Sequence, residues 1–336
     1  SPQVIGLRLA RLLEHACAAV RCQTATLLAQ LGQEQTLPAL VACLERAIDP
    51  AADPTADSTV LRAVESAVQS LESAPPPPLQ ITLLGEFKVV RGDRLLVPDD
   101  WQRPAVRRLF QYFALHAGQM LSRERILDDL WPDTAPDAAR NTFRTLFSWL
   151  RRTLDPYLRP KASARYFTVA GEIYCFAPAA LQPLVRSDMA EFESTVQTAL
   201  AQAHVDDLPQ LSAKFLHVLE AWSPLLPELP YEPWAVTARE RVNSLYVEGC
   251  LYAAQSLLNL QRAPEAAHWA RRVILIAPWL EEAFQALMRA QARQGQRSLA
   301  LKTHAEAVDA LQRELDVPPS ALTDWLAQRL RQGEDI

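Results

Sequence analysis

The chain has 336 residues, 49% of them hydrophobic, with only nine glycines and a formal net charge of −5. That length and apolar content suit two or three domains with buried cores, and much alanine and leucine beside so little glycine predicts a mainly α fold. The acidic total excludes a protein coated in positive charge, and the lack of both a signal-peptide pattern and a charge-free apolar run of spanning length predicts a cytoplasmic protein with no membrane partner.

Residues 1–73 read as a helical segment. In Val20–Ala47, VRCQTATLLAQLGQEQTLPALVACLERA, small residues occupy the tight positions, Leu31-Gly32 stops the first helix and a second apolar helix follows. This pattern is similar to one HEAT repeat, and it equally suits an ordinary helical hairpin. A single repeat cannot bury its own faces. Either the helix expected at Ser58–Leu71 packs against it, or an upstream solenoid supplies the cover. Asp49–Asp57 is a Pro/Ala/Asp-rich linker. Residues 74–78, with four consecutive prolines from Pro75, cannot continue a helix and form a stiff spacer.

The charge changes sign at this point. Residues 1–78 carry −3 and residues 181–336 carry −6, whereas residues 79–180 carry +4, from fifteen Lys and Arg against eleven Asp and Glu. A basic module between acidic ones is the asymmetry of a nucleic-acid reader flanked by protein-interaction domains. The hydrophobic period also changes. Leu79–Leu84 and Phe87–Val90 alternate as strands across Gly85-Glu86, and Arg91-Gly92-Asp93 turns into a third short strand at Leu95–Val97. A helix is expected from about Pro104 to His116, with Val106, Leu109, Phe110 and Phe113 inward and Gly118 closing it. Ser122 caps a second helix through Trp131, and Pro132 stops that. Pro136-Asp137 opens a third. Tyr166–Val169 and Ile173–Ala177 then read as a hairpin around Ala170-Gly171-Glu172. Three strands, three helices and a hairpin make a helix-turn-helix with a leading sheet and a trailing wing.

The third helix carries the most information. AARNTFRTLFSWLRRTL, Ala138–Leu154, holds Arg140, Arg144, Arg151 and Arg152 and no acid. Phe143, Leu146, Phe147, Leu150 and Leu154 share one side at helical spacing. The opposite side carries Asn141, Arg144, Thr145, Ser148 and Arg152, all able to hydrogen-bond and none repelling phosphate. A helix entering a major groove needs these two faces, one for the core and one for base edges. Trp149 lies off the apolar stripe and is expected against a neighbouring domain, while Trp131 is expected in the core.

Residues 181–336 read as helical from about 188 to 330. Ala266 and Ala300 are 34 residues apart, within RAPEAAHWARRVI (Arg262–Ile274) and RSLALKTHAEAVDAL (Arg297–Leu311), which share small-residue positions. That is the tetratricopeptide period, in which stacked helix pairs form a concave surface for a protein partner.

Catalytic constellations are lacking. The closest glycines are Gly85 and Gly92, with no GxxxxGK[ST] or GxGxxG loop, so no nucleotide cofactor is expected. The six histidines are scattered, without HExxH, and Cys17, Cys22, Cys43, Cys175 and Cys250 contain no CxxC pair; no metal is expected, and the thiols read as reduced. Asp128-Asp129 reads as the solvent face of a helix rather than an acid/base pair. The chain is not expected to be an enzyme.

Particular strings carry a family resemblance. LQITLLGEFKVVRG from Leu79, LSRERILDDLWPD (Leu121–Asp133) and NTFRTLFSWLRRTL (Asn141–Leu154) resemble the OmpR-type winged helix of the SARP-like activators. DMAEFE (Asp188–Glu193), SPLLPEL (Ser223–Leu229), YEPWAVTARERV (Tyr231–Val242) and AEAVDALQRELDVPPSAL (Ala305–Leu322) resemble that family's bacterial transcriptional activator domain. The resemblance implies recognition of double-stranded promoter DNA by residues 79–180, and recruitment of RNA polymerase with a protein partner on residues 181–336. Ile173-Tyr174-Cys175 stands where the OmpR-type wing usually carries Gly-Tyr-Arg, and Glu172 adds a like charge near phosphate. The expected base contacts are Asn141, Arg144, Thr145 and Ser148. Arg140, Arg151 and Arg152 are expected on phosphates, with Arg107, Arg108 and Lys161 peripheral. Two rivals stand beside this reading: an interaction scaffold whose winged helix serves for docking, and the output end of a larger signalling ATPase.

Overall fold

The computed structural model describes residues 2–48, 58–159, 162–203, 211–334 and 336. It is mainly helical, with small sheets, and forms two compact units: Ser1–Ile81 with Lys88–Arg186, and Thr82–Phe87 with Ser187–Ile336. The linker expected at Asp49–Asp57 lies outside the described residues.

The first unit begins with helices α1 (Pro2–Ala10), α2 (Ala18–Leu31), α3 (Leu37–Ile48) and α4 (Ser58–Ser73). Gly32 ends α2 in the left-handed region at φ +64, a conformation that favours glycine. On α4, Val60, Val64, Ala67, Val68 and Leu71 form one apolar stripe. The stripe shares a core with Leu28 of α2 and with Leu37, Leu40 and Leu44 of α3. The helix at 58–73 therefore covers the hairpin. Each buried Val or Leu contributes roughly 1.5–3 kcal/mol relative to exposure.

The winged module follows. Strands β1 (Leu79–Thr82), β2 (Lys88–Arg91) and β3 (Arg94–Leu95) join a later strand, β7 (Val185–Ser187), in the order β3-β2-β1-β7. Helices α5 (Pro104–Leu115), α6 (Arg123–Leu130) and α7 (Pro136–Leu154) come next. A second sheet has the order β4-β6-β5, from β4 (Leu121–Ser122), β5 (Phe167–Ala170) and β6 (Ile173–Phe176). Three details differ from the sequence reading. The third strand stops at Leu95 because a 3-10 turn opens at Pro98, which has no N–H to donate. The two-residue β4 pairs Leu121 with Tyr174 and Ser122 with Ile173, tying the base of α6 to the wing. Trp131 is half-buried at the C-cap of α6 rather than within the core. The expected Ser122 cap is present, its hydroxyl accepting from the Arg125 amide at 3.2 Å.

The second unit is a helical solenoid: α8 (Asp188–Ala203), α9 (Ala213–Glu220), α10 (Pro233–Asn259), α11 (Ala263–Ile276), α12 (Glu281–Arg293), α13 (Arg297–Leu315) and α14 (Ala321–Gln332). The carboxylate of Asp188 starts α8 and accepts from the amides of Leu83 and Leu84 at 2.7 and 3.1 Å. The 34-residue repeat is visible in the backbone. Ala266 and Ala300 are each the fourth residue of their helix, α11 and α13, and both are fully buried. Gln261 and Gly295, also 34 apart, both adopt left-handed conformations, at φ +60 and +71. The amide that follows each closes the same turn, Arg262 onto Leu257 and Gln296 onto Gln291. No helix among the described residues is long and apolar enough to cross a membrane.

Candidate nucleic-acid interface

Helix α7 is 19 residues long. Pro136 occupies its first turn, where a fixed φ favours the helix and the missing N–H costs nothing. Phe143, Leu146, Leu150 and Leu154 are buried. Aromatic rings fix this face: Phe143 stacks on Phe147 at 5.7 Å between centroids, and Tyr174 meets both edge-on at 5.0 and 5.1 Å. Phe167 packs edge-on against Phe147 at 5.1 Å and against Phe113 of α5 at 5.0 Å. Tyr174, noticed in the sequence as a remnant of the usual wing, is therefore a packing residue that joins wing to helix.

The outward face carries Arg140, Asn141, Arg144, Thr145, Ser148 and Arg152, all exposed. At about 1.5 Å per residue the row spans roughly 18 Å along the axis. Arg140 pairs with Asp137 one turn earlier at 2.6 Å. Its hydrogen bond to Asp137, together with that charge, raises the guanidinium's pKa. Such an exposed pair is weak and exchangeable for a phosphate contact. The Thr145 hydroxyl donates to the Asn141 carbonyl at 3.0 Å. Arg144 and Arg152 form no ion pair among the described residues.

The remaining expected contacts are less exposed. Arg151 is half-buried and donates to the carbonyl of Ala162, so it holds the segment after α7. Arg107 and Arg108 are half-buried on α5. Lys161 lies outside the described residues. Trp149 is covered within its own module by Arg103, whose guanidinium sits 4.4 Å from the ring centroid. Glu172 pairs with Arg123, which offsets its charge at the wing tip. The Asp129 carboxylate is not merely solvated: it accepts from the Tyr112 hydroxyl at 2.6 Å.

A cluster that the sequence reading missed lies at the C-terminal end of α7. Arg91 donates to Glu34 through two nitrogens at 2.5 and 2.8 Å, and through Nε to the Leu154 carbonyl. Arg165 donates to Glu34 at 2.6 Å and to Asp155 at 2.7 and 3.1 Å. Side-chain exposures are 10% for Arg91, 12% for Glu34, 7% for Arg165 and 3% for Asp155. Burial opposes ionisation of Glu34, but the hydrogen bonds and charges of Arg91 and Arg165 outweigh it and hold the carboxyl below its usual range. At Asp155 burial dominates and pushes the carboxyl upward.

With this geometry in view, the comparisons are specific. Residues 103–176 match the family described as transcriptional regulatory protein, C terminal, and residues 187–331 match the bacterial transcriptional activator domain. The two matches fall, in this order, on the stretches whose strings resemble the SARP-like activators. The chain is 27% identical over 259 residues to the regulatory protein AfsR of Streptomyces coelicolor, covering 76% of this chain and 24% of that protein. It thus spans about a quarter of the length of this curated relative. It also shares a fold with Mycobacterium tuberculosis EmbR, solved in complex with a low affinity phosphopeptide: the TM-score is 0.64 and the identity 17%, over 77% of this chain and 66% of that one.

Proposed function

We propose that this protein is a sequence-specific DNA-binding transcriptional regulator, an activator that contacts RNA polymerase. Residues 79–180 read promoter DNA, residues 181–336 offer helical repeats to a protein partner, and residues 1–73 form a helical support. The observation that carries the reading is the two-faced α7. Its apolar side is fixed by rings from α5 and the wing, while its other side exposes arginines, Asn141, Thr145 and Ser148. Asn141, Arg144, Thr145 and Ser148 are assigned to base edges, where bidentate Arg–guanine and Asn–adenine pairs set sequence preference. Arg140 and Arg152 are assigned to phosphates, with Arg151, Arg107, Arg108 and Lys161 peripheral. The domain pair and the relatedness to AfsR support activation, and nothing in the proposal requires catalysis.

Genomic footprinting followed by gel shift on the recovered sequence tests the proposal. Tighter binding to that duplex than to random DNA is expected, with both affinities falling as salt rises. A second reading, an interaction scaffold with a docking winged helix, is favoured by the Arg123–Glu172 pair at the wing tip. That scaffold would bind no duplex at any salt concentration.

A further inference from the structure

The four-charge cluster joins elements that are far apart in the sequence. Glu34 lies in the turn between α2 and α3, in the N-terminal helical layer. Arg91 ends β2, Asp155 caps α7, and Arg165 precedes the wing. Glu34 is thus one guanidinium away from the last carbonyl of α7, through Arg91, and one guanidinium away from its C-cap, through Arg165. Two carboxylates and two guanidiniums balance, which is what so little solvent exposure requires.

Further contacts hold the same stretch of chain. Tyr157 and Leu158, just beyond α7, pack against the core of the N-terminal helices. Arg159 forks onto Glu72 of α4 at 2.7 and 2.6 Å. The Tyr166 hydroxyl donates to the Pro77 carbonyl at 2.7 Å. The exit from α7 is therefore fixed by the N-terminal layer through charge, apolar contact and hydrogen bonding together.

We propose that Glu34 is a positioning residue for the DNA-reading helix, and that the N-terminal helical layer is part of the reading apparatus rather than an appended domain. The inference rests on α7 being the reading helix. An exposed surface pair can rearrange at little cost, whereas this buried pair with forked geometry resists displacement. Base readout needs side chains held to within about 0.5 Å, so release of one end of α7 lowers discrimination before it lowers general affinity for phosphate.

The test uses the full chain and three proteins: wild type, Glu34→Gln, and the charge-balanced double variant Glu34→Gln with Arg165→Met. Each is measured on the footprinted duplex and on random duplex across a salt series, below its own melting temperature. Both variants are expected to lose about tenfold in the ratio of specific to random affinity, a size set by one lost base contact. The dependence on salt is expected to remain that of the wild type. The double variant is expected to regain melting temperature but not the ratio, because charge balance returns while the bridge to α7 does not. Recovery of both by the double variant would mean that Glu34 only balances charge, and would overturn the proposal. So would an unchanged ratio in either variant. A wild type that binds no duplex refutes the DNA-reading assignment itself, a distinct result from wild-type binding that Glu34 does not affect.

Discussion

Phe143→Ala and Arg144→Ala change adjacent residues of α7 and are expected to have opposite consequences. Phe143 is only 2% exposed and its ring contacts Phe147 and Tyr174. Truncating it leaves a cavity beside these two aromatic neighbours and costs about 3–5 kcal/mol. For a unit of this size, that lowers the melting temperature by roughly 6–20 °C. Arg144 is exposed and forms no ion pair among the described residues. Its removal is expected to change stability by less than about 0.5 kcal/mol. On the footprinted duplex, by contrast, loss of a bidentate base contact costs about 1–3 kcal/mol, or roughly 5- to 150-fold in affinity. Thermal unfolding by circular dichroism, with gel shifts on specific and random duplex, separates the two effects. If Arg144→Ala binds both duplexes as tightly as the wild type, or if Phe143→Ala melts with it, the two faces of α7 have been misassigned.

Other consequences are independent of DNA. The Glu281 carboxylate accepts from the Ser320 amide, the Ser320 hydroxyl and the Thr323 hydroxyl at the start of α14. Burial would raise its pKa, but these hydrogen bonds outweigh burial and lower it. A carboxyl depressed on folding stabilises fully above its unfolded value, about 4.3, and that contribution disappears as pH falls through the lowered folded value. Glu281→Gln is thus expected to melt below the wild type at pH 7 and to converge with it in acid; a gap that persists or widens in acid contradicts the assignment. A Cβ at Gly249 would lie 3.0 Å from both Leu219 and Val196. Gly249→Val is therefore expected to cost about 1–3 kcal/mol by overpacking, and a melting temperature at or above wild type would refute this. Burial pushes the Cys250 thiol up to about 12, whereas Cys17 is exposed. In mild alkali a thiol reagent should modify Cys17 quickly and Cys250 only on unfolding, as peptide mass mapping would reveal.

The sequence exposed some of these features and concealed others for physical reasons. The two faces of α7 were legible because an amphipathic helix repeats every 3.6 residues and this one has no acid between Ala138 and Leu154. The solenoid was legible from Ala266 and Ala300. Its matching turns were not, because Gln261 holds the left-handed position that Gly295 holds one repeat later. Strand β4 has two residues, too few to show any period. The charge cluster was hidden because Glu34 and Arg165 are 131 residues apart, and an isolated charge reads as solvated until the fold brings its partner near. Arg151 illustrates the limit of a helical wheel. Its position flanks the apolar stripe, but its guanidinium turns to a carbonyl supplied by the next segment.

The central claim is that α7 meets nucleotides, and affinity for the footprinted duplex as a function of salt tests it most directly. Two cations, Arg140 and Arg152, are assigned to phosphates and four more are peripheral, and each contact made contributes a slope of about −0.9 to log K against log salt. The account predicts a linear fall with a slope between about −2 and −5, with random duplex weaker at every salt concentration. A flat line, or equal affinity for both duplexes throughout, would contradict it.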